Sequence, residues 1–180
     1  ESPETILLWL RQIANTTDFN KWMGQADALI QDAQHPELLR RAYTLVSEAQ
    51  LAKGNPARAM AMQKAMLERL GEDPATLRIH IQFLIQQHLA DEALDWADRL
   101  LKLKPGPASV QLKADALWAC GQLRLAREGS LKQAEERFRQ AIELSPEHAK
   151  AWLGLALALQ LKAAPNHSDK DVRQALQAAR

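Results

Sequence analysis

One skeleton of residues recurs along this chain, and it restricts the possible folds more than any other feature. Its clearest copy is Ala134, Phe138, Ala141 and Pro146: a small residue, then core-type residues at +4 and +7, then a proline at +12. The same spacing returns at Ala93, Ala97, Leu100 and Pro105, and earlier at Ala59, Gln63 and Met66, with the proline displaced to Pro74. Ala59 and Ala93 lie 34 residues apart, the period of helix-turn-helix arrays. A hairpin of that length cannot cover its own apolar face, so copies must stack. The pattern therefore points to a binding scaffold rather than to catalysis.

The rest of the chain agrees. Apolar residues recur with helical spacing, and no stretch alternates with the period of a strand. Asn55-Pro56, Asp73-Pro74 and Ser145-Pro146 each set a capping side chain before a proline suited to a first helical turn. Ser130 with Gln133 makes a capping-box pattern after Gly129. These marks predict helices near 3–15, 19–34, 37–53, 56–70, 74–88, 91–103, 107–127, 131–143, 147–162 and 169–180. Paired, they make one all-α domain over 1–180: a degenerate pair over 1–39, repeats over 40–73 and 74–107, an extended repeat over 108–148, and a last one over 149–180.

Composition narrows the function classes. The formal net charge is +1 and no basic cluster occurs, which argues against nucleic-acid binding. The longest apolar stretch, Ala151 to Leu161, is too short to span a bilayer. A single cysteine, Cys120, rules out an internal disulfide. The chain opens on Glu1 rather than Met, which leads us to expect an excised domain and leaves the compartment, cytoplasm or periplasm, open.

The skeleton resembles the tetratricopeptide repeat, best over residues 118–161. Ala134, Phe138, Ala141 and Pro146 fill the positions of its second helix, and Trp152 with Leu155 and Ala156 opens the next first helix. Tyr43, Val46, Gly54 and Ala59 fall in register in the repeat that begins at Arg40, while His88 stands where the turn glycine is expected. The resemblance implies a right-handed α-solenoid of antiparallel helix pairs. Between Ala93 and Ala134 the spacing is 41, an excess of seven residues or two helical turns. We expect the surplus to lengthen the helix over 107–127 into a projecting lip. An extended third repeat of this kind is similar to the tetratricopeptide proteins of bacterial c-type cytochrome maturation.

In that family the first helix of each pair lines a concave, peptide-binding surface. Carried onto this chain, the register puts Arg41, Thr44 and Glu48 there, then Arg78, Gln82 and Gln86, then Leu112, Lys113 and Ala116, then Lys150, Leu153 and Leu157. Leu112, Leu153 and Leu157 would be apolar anchors, with Arg78, Lys113 and Lys150 at the polar margin. The Lys/Asn clamp with which some members hold a peptide C-terminus is missing, since Glu48, Gln82, Ala116 and Leu157 occupy its central Asn register. Trp118, in the extended helix, is the best single anchor candidate, because tryptophan is enriched in binding hot spots; the alternative is burial against Phe138.

Other side chains point to packing. Met60 and Met62 are two apart and cannot share a helix face, so at least one should be partly exposed, while Met66 belongs to the core register. The five histidines show no metal-ligand spacing, and Cys120 has no CxxC partner. No catalytic residue, metal or cofactor is expected. The expected function is a noncatalytic adaptor or chaperone-like module that holds a peptide or protein segment. The alternatives are an assembly unit that self-associates through solenoid ends and an accessory domain of a larger enzyme. The stripe Val172, Ala175, Leu176 and Ala179 is expected to cap the array and keep the chain monomeric, with a dimer through this end as the alternative.

Overall fold

The structure, a computed structural model, describes residues 19–127 and 130–163. Every regular element among them is an α-helix: α1 Phe19–Asp32, α2 Pro36–Ala52, α3 Pro56–Leu70, α4 Pro74–Gln86, α5 Ala90–Leu103, α6 Pro107–Leu125, α7 Leu131–Leu144 and α8 Ala149–Ala163. The expected helices over 3–15 and 169–180, together with Gly129 and the stripe from Val172 to Ala179, lie outside the described residues. Two compact units divide the chain, Glu1–Thr76 and Leu77–Arg180.

In the first unit α2 packs against both α1 and α3. Its core is built by Trp22 and Ala26 from α1, Ala42 and Val46 from α2, and Ala59 and Met66 from α3, each essentially inaccessible to solvent. The buried amide of Gln63 donates to the Ser47 hydroxyl at 3.1 Å, and that hydroxyl donates to the Tyr43 carbonyl at 2.8 Å. Arg69 closes the end of α1 by donating to the carbonyls of Gln31 and Ala33. Met60 and Met62 are both half-buried, as their spacing requires.

Successive helices also pack in the second unit, where α6 meets α5, α7 and α8, and α7 meets α8. This is the all-α, neighbour-on-neighbour packing of a helical repeat. Ala93, Ala97, Leu100, Ala134, Phe138 and Ala141, the recurrent skeleton, are all fully buried. Small residues there let helix backbones approach closely. The tightest approach surrounds Phe138. A methyl group on Gly121 of α6 would lie 2.5 Å from its ring, and one on Gly154 of α8 would also lie 2.5 Å from it. The ring thus occupies the space that side chains would take on two other helices.

The surplus of seven residues does lengthen a helix. The resulting α6 is 19 residues long and unbroken through Gly121. It does not project as a lip, however: Ala119, Cys120, Gly121 and Leu125 are buried. Ala119 and Cys120 join Ala90 of α5, while Leu125 joins Ala134 and Phe138 of α7 and Leu155 of α8. The added turns are covered because three helices surround them.

The helix ends follow the sequence in part. Asp73 caps α4, its carboxylate accepting from the Ala75 N–H at 2.9 Å and from Thr76 through both N–H and hydroxyl. Burial opposes ionisation of this carboxyl, but those hydrogen bonds and the charge of Arg40 outweigh it and hold the group below its ordinary range. Asn55 makes no side-chain cap and instead donates to the Gln50 side chain. Ser145 likewise turns away, donating to Gln111, and α8 begins later, at Ala149.

Two chain reversals have the same hydrogen bonds one repeat apart. After α2, Gly54 N–H donates to Leu51 and Asn55 N–H to Gln50; after α4, His88 N–H donates to Ile85 and Leu89 N–H to Leu84. Gly54 takes φ 75° and His88 φ 59°, the left-handed region in which a side chain is strained. His88→Gly is therefore expected to stabilise the protein by about 1 kcal/mol in urea unfolding. Gly154→Ala should do the opposite. The gain in helix propensity, about 1 kcal/mol, is outweighed by a clash with Phe138, for a net loss of about 1–2 kcal/mol. In a Phe138→Leu background that loss should shrink below about 0.5 kcal/mol; an undiminished loss would show that the ring is not the obstacle.

Candidate binding surface

The expected site residues fall into groups with different environments. In the first unit Arg41 and Glu48 are exposed. Arg41 pairs with Glu37 one turn away at 3.2 Å, and the half-buried Thr44 donates back to the Arg40 carbonyl at 2.8 Å. In the second unit Gln82 and Gln86 are exposed and Arg78 is half-buried.

Two expectations on α6 are corrected. Leu112 and Ala116 are buried, 6% and 0% exposed, and so do not line a solvent surface. The helix is covered on more than one side: Ser109, Leu112 and Ala116 form one buried row, and Ala114, Leu117, Gly121 and Leu125 form a second. A register that assumes one open face fails on such a helix. Lys113 does reach the margin, but its ammonium is held by Asp98 at 2.7 Å.

Trp118 combines both alternatives. Its indole is half-buried and packs on three apolar clusters, one of which contains Phe138. The Lys150 ammonium lies 5.1 Å from the ring centroid, within cation–π range. The indole N–H is buried without an acceptor.

On α8, Ala151, Gly154, Leu155 and Ala158 face inward. Trp152, expected at a packing position, is instead 52% exposed, because it stands about 100° around the helix from Ala151. Its N–H donates to the Pro146 carbonyl at 2.7 Å, which fixes the indole against the turn. Leu153 is 73% exposed, the most open large apolar side chain among the described residues. Leu157 is half-buried against the Phe138 cluster, which makes it partly a core residue. The structure therefore brings Lys150 onto Trp118, with Leu153 one turn and Leu157 two turns along α8 from Lys150.

Polar partners one repeat apart brace this surface. The buried His148 ring accepts from the Ala151 N–H through Nδ1 at 3.1 Å. With Nδ1 an acceptor, the neutral ring carries its proton on Nε2 and donates it to Asp115, 2.9 Å away. This histidine, not Ser145, caps α8. Sequence spacing gave no sign of it, because its acceptor lies 33 residues upstream.

Cys120 is fully buried, its thiol 3.6 Å from the Asp91 carboxylate. Burial, reinforced by the negative charge of Asp91, pushes the thiol up to about 11. Asp91 is itself bound by Arg124 at 2.8 Å. The geometry gives an unreactive packing thiol. Among the described residues no group of three His, Cys, Asp or Glu side chains could hold a metal ion, and no helix is long and apolar enough to cross a membrane.

No family model matches the chain. Over 71% of the chain it is 30% identical to cellulose synthase operon protein C of Pseudomonas fluorescens (strain SBW25), and it spans 11% of that protein's length.

Cys120 should react with iodoacetamide at pH 8 at least about a hundredfold more slowly than a free cysteine, and at the free rate once urea unfolds the chain. Mass spectrometry of alkylated protein checks this, and rapid native labelling would contradict the burial described.

Proposed function

We propose that this chain is a noncatalytic protein-interaction module of the tetratricopeptide type, with the second unit carrying its binding surface. The observation that carries this reading is Leu153, open to solvent on a helix whose inward face is packed, and one turn from Lys150, whose ammonium rests over the Trp118 ring. A large apolar side chain kept exposed on a packed helix is the kind of feature that marks an interaction site. A rigid helical surface also lowers the ordering cost of binding a peptide. Gln82, Gln86, Arg78, Lys150, Leu153 and the open edge of Trp118 make up the proposed surface of this unit, and Arg41, Thr44 and Glu48 make up that of the first. The likeness to a Pseudomonas protein supports a bacterial origin.

Selection of random displayed peptides on the intact chain tests this. Enriched sequences are expected, and Leu153→Ser should weaken them by about tenfold, the worth of a buried leucine, with the melting temperature unchanged. Failure to enrich any sequence, or equal binding by Leu153→Ser, would contradict the proposal.

A second reading, self-association, is favoured by one observation. Trp152, Ala156, Leu159 and Ala163 form an exposed apolar row on α8, separate from the inward face. Leu159→Glu should leave sedimentation unchanged if the chain is monomeric, and should dissolve a dimer if this row joins two copies.

A further inference from the structure

We infer that His148 is a proton-operated cap: its neutral ring closes the first turn of α8, and its imidazolium gives up that turn for an ion pair with Asp115. The first observation is the cap itself. His148 stands immediately before Ala149, where α8 begins, and its side chain is buried. Nδ1 accepts from the Ala151 N–H at 3.1 Å, the bond that an N-cap side chain makes to the third helical residue. An amide or hydroxyl oxygen can accept this bond at any ordinary pH, whereas a histidine accepts it only while Nδ1 carries no proton. A proton there sets one N–H against another. It also places a positive charge at the positive end of the helix dipole.

The second observation is the other nitrogen. Nε2 meets the Asp115 carboxylate of α6 at 2.9 Å, and the Asp115 side chain is 39% exposed, so the pair spans the margin between core and solvent. Protonation strengthens this bond, because a charged donor then meets the carboxylate. Gain and loss thus fall on opposite sides of one ring: the proton favours Asp115 and forbids Ala151. The ring resolves the conflict by turning about its contact with Asp115 and leaving Ala151.

The third observation is what surrounds the ring. Among the described residues no carboxylate other than Asp115 lies within ion-pair distance of it. On α6, Lys113 is held by Asp98 of α5. The other helix packed on α8, α7, brings Ala141, Ile142 and Leu144 to the apolar cluster that contains Ala151. Glu147 and Lys150, the nearest charged residues in sequence, are both exposed. No second charge therefore holds an imidazolium in the cap. The Ala151 N–H is shared with the His148 carbonyl at 3.0 Å, so it keeps an acceptor when the ring departs. The change is confined to the first turn, which carries Lys150, Leu153 and the Trp152 indole bonded to Pro146.

Nuclear magnetic resonance of the imidazole nitrogens in the intact, isotope-labelled chain tests the inference. At about pH 7.5, above the ordinary range of histidine titration, the proton should be on Nε2 and absent from Nδ1. Lowering the pH to about 5.5 should protonate the ring and shift the Ala151 amide and Trp152 indole N–H signals with the same midpoint. Protection of the α8 amides should fall about fivefold, the size expected for losing a cap. His148→Asn, a cap that does not titrate, should lose these shifts. Asp115→Asn should lower the midpoint by about half a pH unit, since the charge that favours the proton is gone. A proton on Nδ1 at the higher pH, a ring still neutral at the lower one, or a titration that leaves Ala151 and Trp152 unmoved overturns the inference. So do shifts that survive in His148→Asn. Should that variant not fold, the tautomer and titration of the parent protein decide alone.

Discussion

The insertion of Phe138 between Gly121 and Gly154 is the contact on which the second unit depends. One ring from α7 touches α6 and α8 where both lack side chains. It therefore sets the spacing of three helices at once. Gly121 weakens a helix by about 1 kcal/mol relative to alanine, and here that loss is offset by the burial of a whole aromatic ring. The two added turns of α6 belong to the same arrangement. They carry Gly121 and Leu125 to the Phe138 cluster and Cys120 to α5, so the longest helix becomes the best covered.

Interactions across one repeat add direction to this packing. Arg40 with Asp73, Asp91 with Arg124, and Asp115 with His148 are each 33 residues apart, close to the period of the skeleton. A hydrophobic row alone tolerates slippage by a helical turn. Polar pairs at fixed separation do not, because a slipped neighbour leaves a buried or half-buried donor unanswered. Exposed pairs of this kind add little energy. Their role is to fix which turn of one helix faces which turn of the next.

The helical pairs and their cores were legible in the sequence because they depend on local periodicity and side-chain size. Ala93, Ala97, Ala134, Phe138 and Ala141 are core residues for reasons visible within one repeat. Surfaces were less legible, because exposure depends on how many neighbours a helix has. Leu112 and Ala116 read as surface residues under a single-faced register, yet α6 is covered on more than one side. Trp152 read as a packing residue from its place in the repeat register, yet Ala151, Gly154 and Leu155 take the inward face and leave it outside. The cap on α8 was missed because His148 is an unusual capping residue, oriented by a carboxylate on another helix. Of the expected binding residues on α8, Lys150 and Leu153 are exposed, and Trp118 on α6 is half-buried.

Native-state hydrogen exchange on Phe138→Leu tests the central claim most directly. If the ring couples the three helices, amides in α6, α7 and α8 should all lose protection by similar free energies, of about 1–2 kcal/mol. Loss of protection confined to α7, with α6 and α8 exchanging as in the parent protein, would contradict this account of the unit.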